Sequence, residues 1–494
     1  MAILLENALL VTLEKQRPLL RGQQLVVDQG AIAAIGARVD VGRFEIKECI
    51  DCSGMIVMPG LVNAHSHLTE ILQRSLRDNV RMEIWRGYRA LTEEMADLKA
   101  EEIGAAAELA CAEMLKNGVT AVLDLFSTSP GLSVTKMQAI LKAFEKTGIR
   151  GVLAPSLRDQ DFVQLISSRS RARRATAQSS KGEWRDQVLA LLSDMRRSST
   201  ISGIVLGPSS PYNCSDALLR EIIEMAEKHD LGIHTHLLET RLQRWGSRKL
   251  YKEGLARHLK NLGFLSPRLS VAHGVWLEEK EMDLLASTAT SVVHNPASNL
   301  KLGSGIAPVI ELNKRGVNVA LGSDGGDTSD SYSIFEQMRL AAYLSRVRAE
   351  NSDHWITALD ALRMGTCNGA QAILPWRGKI GRIKTGYRAD LVILKPHLRL
   401  YPLNDVIHQL VFCEGGQSVD TVLVDGAIVV KGGRLTRLDE DRVIQRAQDI
   451  GAKMCHNYSL AKRRSAQADT ALRGLYQRAF RSERKMPKEF LNNG

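Results

Sequence analysis

Apolar and polar positions alternate in short runs over the first 58 residues: AILLENALLVTL, GQQLVVDQGAIAAIG and IVM, separated by polar or glycine turns. A period of two suits strands of a half-exposed sheet. From Met55 to about Leu374 the pattern changes. Apolar runs of strand length, such as MPGLVNAH and VTAVLDLF, now alternate with Ala-rich helical segments such as EEIGAAAELACAEMLKNG, which Gly118 follows as a C-terminal cap would. The series continues with IRGVLAPS, GIVLGPSS, LGIHTH, LSVAHG, TSVVHN and VNVALGSD, so that about eight strands are expected. Strand-then-helix units repeated this often predict an α/β protein built on a TIM-like (β/α)8 barrel. After Lys379 the first pattern returns in RADLVILK and SVDTVLVDGAIVVKGGRL. Both chain ends are therefore expected to build one small β-sandwich beside the barrel. The organisation expected is residues 1–58 and 379–438 for the sandwich, 59–378 for the barrel and 439–494 for a basic helical extension.

Composition changes this picture little. The 494 residues are 44% hydrophobic and 24% charged, as in ordinary soluble domains. No apolar run approaches the roughly 18 residues of a membrane-spanning helix, and the N-terminus lacks a basic leader. A cytoplasmic location without membrane contact is expected. The seven Cys are scattered, so no disulfide framework follows, and Cys49 and Cys52 read as two residues of a β segment rather than half of a metal or redox site. Charge is uneven. Residues 462–494 supply six of the eleven net positive charges, and Arg169, Arg171, Arg173 and Arg174 form a second cluster. Without interleaved aromatics or zinc-knuckle spacing, the tail reads as a solvated basic segment rather than a nucleic-acid site.

The chemistry lies at the strand ends, where barrel enzymes hold their reactive groups. In MIVMPGLVNAHSHL, His65 and His67 share one face because strand side chains alternate. In LGIHTHLLET, His234 and His236 do the same, with His236 nearer the mouth and His234 one layer deeper in a hydrogen-bonded role; Glu239 follows. LSVAHG ends in His273 and VNVALGSDGG in Asp324, where Asn318, Ala320 and Gly322 leave room. One such histidine is ordinarily a hydrogen-bonded core residue, and Asp324 alone suits a helix cap. Four strand ends of about eight carrying His or Asp point instead to a shared metal.

The order HxH, then HxxE, then His, then SD resembles the amidohydrolase superfamily. HNPASNLKLGSGIAP (294–308) and GKIGRIKTGYRADLVIL (378–394) are similar to its ATZ/TRZ-type branch of nucleoside deaminases and triazine hydrolases. The resemblance implies His65, His67, His236 and Asp324 as ligands of one divalent metal, zinc foremost, with iron also compatible. GIVLGPSSPY lacks the lysine of dinuclear relatives, which favours a single ion. Asp324 is expected to accept the proton of the attacking water, Glu239 to protonate the ring nitrogen beside the attacked carbon and later pass a proton to the leaving amine, and His273 to orient the water or polarise the acceptor. Trp85, Glu94, His273 and Ser210 are the expected substrate contacts, with Trp85 on a loop after the first strand or on an amphipathic helix. His294, Asn295, Ser298, Asn299 and Lys301 are placed on a loop.

The chain departs from the branch's nucleoside deaminases in three places. Only Arg158 follows the third strand, Ser209-Ser210 stands where they carry His, and GGDTSDS follows Asp324. These changes weaken S-adenosylhomocysteine as a substrate. The leading expectation is hydrolytic deamination of a small aminated heterocycle or nucleoside by a homo-oligomer. The alternatives are hydrolysis of other C–N or C–Cl bonds, and a silent binding scaffold.

Overall fold

Eight parallel strands close around one axis in the computed structural model, which describes residues 2–127, 131–167, 183–197, 201–464 and 466–483. Leu61–His67, Val119–Phe126 and Arg150–Leu157 pair in succession, and the fourth position holds two short pieces, Gly203–Ile204 and Gly207–Pro208. Ile233–Leu237, Leu269–His273, Ser291–His294 and Val319–Leu321 form the other half. Two junctions join the halves. Leu206 bridges in parallel to Ile233. The eighth strand pairs first with the seventh through Val319–Leu321 and then with the first through Asp324 opposite Ser66 and Gly325 opposite His67. The eighth strand therefore binds both neighbours by different stretches, and Asp324 sits on the closing stretch.

The second unit is a mixed nine-stranded sheet from both ends of the chain, in which Ile56–Pro59 pairs with Leu391–Leu394. Its period-two pattern has a structural use. Leu10, Val57, Leu391, Ile393 and Leu423 close a core of their own, whereas Val11, Met58, Val392, Leu394 and Val422 join the barrel's core. A buried ion cluster clasps the two units. Arg150, on the third barrel strand, donates to both carboxylate oxygens of Asp390 at 2.8 and 2.9 Å and to Asp425 at 2.7 Å. Removing Asp390 takes the bidentate partner from a buried guanidinium and leaves it only the more exposed Asp425, so Asp390→Ala is expected to cost about 3 kcal/mol. Chemical denaturation of the variant against the wild type measures this; a change below about 1 kcal/mol would assign the cluster the weight of a surface pair.

The C-terminal extension forms two helices, Glu440–Arg464 and Ala466–Glu483. The first packs along Ala100–Lys116 and Met82–Ala96. Its basic residues meet acids there: Arg446 lies 3.3 Å from Glu108 and Lys453 3.3 Å from Glu102. The Tyr458 ring meets Tyr88 edge-on at 6.2 Å and receives the Arg77 guanidinium over its face at 5.1 Å. Tyr476, on the second helix, accepts from Arg81 at 2.8 Å. Part of the extension's positive charge thus serves packing on the barrel. The Arg169–Arg174 cluster and the terminal Arg484, Lys485 and Lys488 lie outside the described residues. Cys49 and Cys52 are both free, and among the described residues no helix is long and apolar enough to cross a membrane.

Candidate metal and catalytic site

The pleat of the first strand turns His65 and His67 to the barrel axis, and both are largely buried. His236 and His273 end the fifth and sixth strands, and Asp324 begins the closing stretch of the eighth. His65, His67 and Asp324 form one group of mutually close donor atoms, and His65, His236 and His273 another. The backbone is strained around them: Leu238, His273 and Asp324 have positive φ of 44°, 73° and 66°. Such conformations cost non-glycine residues energy and concentrate at functional positions. The room for this convergence comes from Gly322, where a Cβ would stand 2.8 Å from the Cβ and carbonyl oxygen of His65.

Hydrogen bonds fix which nitrogens face inward. His67 Nδ1 donates to the Leu125 carbonyl at 2.7 Å, and His236 Nδ1 donates to the Ser209 carbonyl. A carbonyl only accepts, so both rings carry their proton on Nδ1 and present a bare Nε2 lone pair. Those two nitrogens are 3.2 Å apart, and Asp324 Oδ1 is 3.4 Å from His67 Nε2 and 3.5 Å from His65 Nε2. His65 Nε2 is buried without a hydrogen-bond partner, while its Nδ1 lies 2.8 Å from His234 Nε2, itself held by Ser270 at 2.7 Å. Electron-rich atoms this close repel one another in a dry interior unless a cation lies between them. The donor set, three imidazoles and a carboxylate, fits a divalent metal. Burial keeps the rings neutral and competent: it pushes His67 down to about 3 and lowers His65 and His236. Burial alone would raise Asp324, but its contact with His65 and the neighbouring imidazoles of His273, His65 and His67 hold it well below the usual carboxylate range.

Glu239 follows the fifth strand, and with His67, His236, His273 and Asp324 it lines a cleft open at the mouth of the barrel. Burial pushes its carboxyl up to about 7; His273 and Arg86 oppose the shift, and Asp324 and Glu83 add to it. His273 Nδ1 donates to Asn299 Oδ1 at 2.9 Å, and its Nε2 is 3.9 Å from Asp324 Oδ2. Ser298 Oγ donates to that same Oδ2. Ser298, Asn299 and Lys301 lie on a short helix, Pro296–Lys301, and not on the expected loop.

Trp85 lies on the helix Met82–Ala96, so of the two expected placements the helix is the one observed. Its Nε1 donates to Asp327 Oδ2 at 2.9 Å, and Arg77 reaches the same oxygen at 2.7 Å. The GGDTSDS departure after Asp324 thus supplies the carboxylate that anchors Trp85. Trp85 and Ser210 both line the cleft. Glu94 does not: it is exposed on the last turns of the same helix. Sequence reasoning also passed over Glu70, Arg86, Arg89 and Tyr212, all of which line the cleft. For two of these the signal was present. Met82, Trp85, Arg86 and Arg89 follow the i, i+3, i+4, i+7 spacing of one helical face, and all four line the cleft. Glu70 carried no such signal; its burial, with Asp327 nearby, raises its carboxyl well above the usual range.

This arrangement defines a barrel metallohydrolase, and residues 56–429 match the model of the amidohydrolase family. The chain belongs to that family. It is 32% identical over 459 residues to a 5'-deoxyadenosine deaminase of Methanosarcina mazei, covering 92% of this chain and 98% of that protein. It is 31% identical over 449 residues to a 5-methylthioadenosine/S-adenosylhomocysteine deaminase of Thermoanaerobacter pseudethanolicus, covering 90% and 97%. Among solved structures it resembles a zinc-bound adenosine deaminase of Xanthomonas campestris, with a TM-score of 0.82 and 27% identity over 92% of this chain and 98% of that one.

Proposed function

We propose that the protein hydrolytically deaminates an aminated nitrogen heterocycle or its nucleoside, using one divalent metal ion held by His65, His67, His236 and Asp324. The observation that carries this reading is the convergence of bare imidazole nitrogens and a carboxylate beside a buried carboxyl that titrates near neutrality. Zinc suits the donor set best, and metal analysis of the purified protein separates it from iron. A divalent ion in such a site supplies Lewis acidity and lowers the pKa of a coordinated water to about 7.

The chain's own groups carry the proton traffic. Asp324 accepts a proton from the attacking water at a carboxylate oxygen and is steadied there by Ser298. Glu239, neutral when the ring enters, gives its proton to the ring nitrogen beside the amino-bearing carbon. The water oxygen bonds to that carbon; Glu239, now a carboxylate, takes the remaining proton of that oxygen and passes it to the amino group as the C=O bond forms, the C–N bond breaks and ammonia leaves, and the proton on Asp324 then restores Glu239. His273, fixed by Asn299, orients the attacking water. Trp85 packs on the ring, so Trp85→Ala is expected to raise KM about tenfold with a smaller change in kcat. Steady-state kinetics on the best substrate checks this; an unchanged KM would remove Trp85 from the binding site.

The test is a screen of metal-replete protein against aminated purines, pyrimidines, pterins and triazines and their nucleosides. 5'-Deoxyadenosine and methylthioadenosine join the panel because relatives carry those names. Ammonia release matching the loss of the ring amino group is expected. Metal-replete protein that hydrolyses an amide or a chlorotriazine instead, with no ammonia from any aminated ring, would overturn deamination.

A further inference from the structure

The helix Met82–Ala96 turns two arginines into the cleft, and their surroundings differ. Arg89 is matched by acids, lying 2.9 Å from Glu93 and 3.2 Å from Glu70. Arg77, behind it, is matched by Asp327 at 2.7 Å. Arg86 lines the cleft but makes no ion pair and no side-chain hydrogen bond among the described residues. Asp161 is near enough to favour its charge, without contact within ion-pair distance. Arg158, from the end of the third strand, lines the same cleft. Burial lowers both guanidinium pKa values, and each is lowered further by neighbouring arginines: Arg86 by Arg89, and Arg158, down to about 10, by Arg86 and Arg89. For Arg86, a partly dehydrated cation beside Arg89 and without an ion pair of its own among the described residues, this is unfavourable until an anion joins it. The same cleft is lined by Ser127, Ser156 and Ser209, whose hydroxyls suit the oxygens of such a group.

We propose that the substrate ring carries an anionic substituent, a carboxylate or a phosphate, which Arg86 receives in the cleft together with Arg158. A guanidinium fork matches either group by paired N–H···O bonds. This rests on the deaminase reading of the same site and narrows its substrate class. The two guanidinium groups reach the cleft from different elements, Arg86 from the helix that also carries Trp85 and Arg158 from the end of the third strand.

Matched pairs test it with the full-length, metal-loaded protein: adenosine against adenosine 5'-monophosphate for phosphate, and pterin against pterin-6-carboxylate for carboxylate. Calorimetric affinity and the ammonia-release kcat/KM are measured for each, at low and high salt. In at least one pair the anionic member is expected to bind roughly tenfold or more tightly than the neutral one, and the preference falls with salt. Arg86→Gln is expected to reduce that ratio by about tenfold, with Arg86→Lys restoring part of it. Circular dichroism and metal content confirm that the variants fold. Equal affinity within both pairs, no binding by any of the four, or a preference untouched in both Arg86→Gln and Arg158→Gln overturns the anion site. Ammonia released from neutral rings without an anion preference overturns this inference alone. Anion-selective binding without ammonia release supports the anion site and overturns the deaminase reading.

Discussion

Replacing Glu239 with glutamine is expected to leave the fold and bound metal intact while lowering kcat by about two to four orders of magnitude. Glutamine has the shape of glutamate but cannot give a proton to the ring nitrogen or carry one to the leaving amine. Glu239 is not one of the donors that converge on His67 Nε2, so metal content should be unchanged. The pH profile supplies a second readout. Burial holds the Glu239 carboxyl at about 7, so it is protonated and able to donate below that pH and loses its proton above it. Activity is therefore expected to fall as pH rises through neutrality in the wild type. The residual activity of Glu239→Gln should lack that limb. A variant with near-normal kcat, or one that keeps the alkaline limb, would remove Glu239 from the proton path.

Loss of a ligand should act differently. His236→Ala is expected to abolish both stoichiometric metal and turnover, because it takes one imidazole from a site whose other donors then meet the ion with too few partners. Chelation of the wild type should give the same inactive state, and added zinc should rescue the chelated wild type but not the variant. His234 offers an internal contrast. Its ring bonds His65 Nδ1 and Ser270 Oγ and so orients a ligand without being one. His234→Ala is expected to weaken metal affinity by about 10- to 100-fold, as the loss of an orienting partner does, with activity recovered at high metal concentration. Metal analysis and titration of activity with zinc check both. Full metal occupancy in His236→Ala would sink the ligand assignment.

How far the chain could be read in advance varied with the kind of signal. The first-strand HxH was legible because strand side chains alternate strictly, and His65 and His67 do share one inward face. The barrel was legible from its repeated buried strands and Ala-rich helices. The fourth strand was less so: GIVLGPSS reads as one strand but forms two short pieces, because Leu206 turns to bridge the fifth strand between them. The substrate side was read least well. Glu94 has the residue type for a sugar contact but lies on the exposed side of its helix, whereas Arg86 and Arg89 follow Trp85 at helical spacing and reach the cleft.

What the sequence determined by itself is local and periodic: which segments are strands or helices, which face of a strand a histidine occupies, and the set of His and Asp residues at strand ends. These follow from dihedral geometry and the partition of apolar side chains, which act over a few residues. What only the tertiary structure decided is relational. His67 and His236 stand 169 positions apart in the chain, yet their Nε2 atoms come within 3.2 Å. Their tautomers are set by the carbonyls of Leu125, on the second strand, and Ser209, just after the fourth. The neutrality-range carboxyl of Glu239 likewise arises from burial among groups brought together by barrel closure. Hydrogen bonding and desolvation depend on distance in space rather than along the chain, so ligand tautomers, proton affinity and the charge of the substrate wall emerge only once the eighth strand has closed on the first.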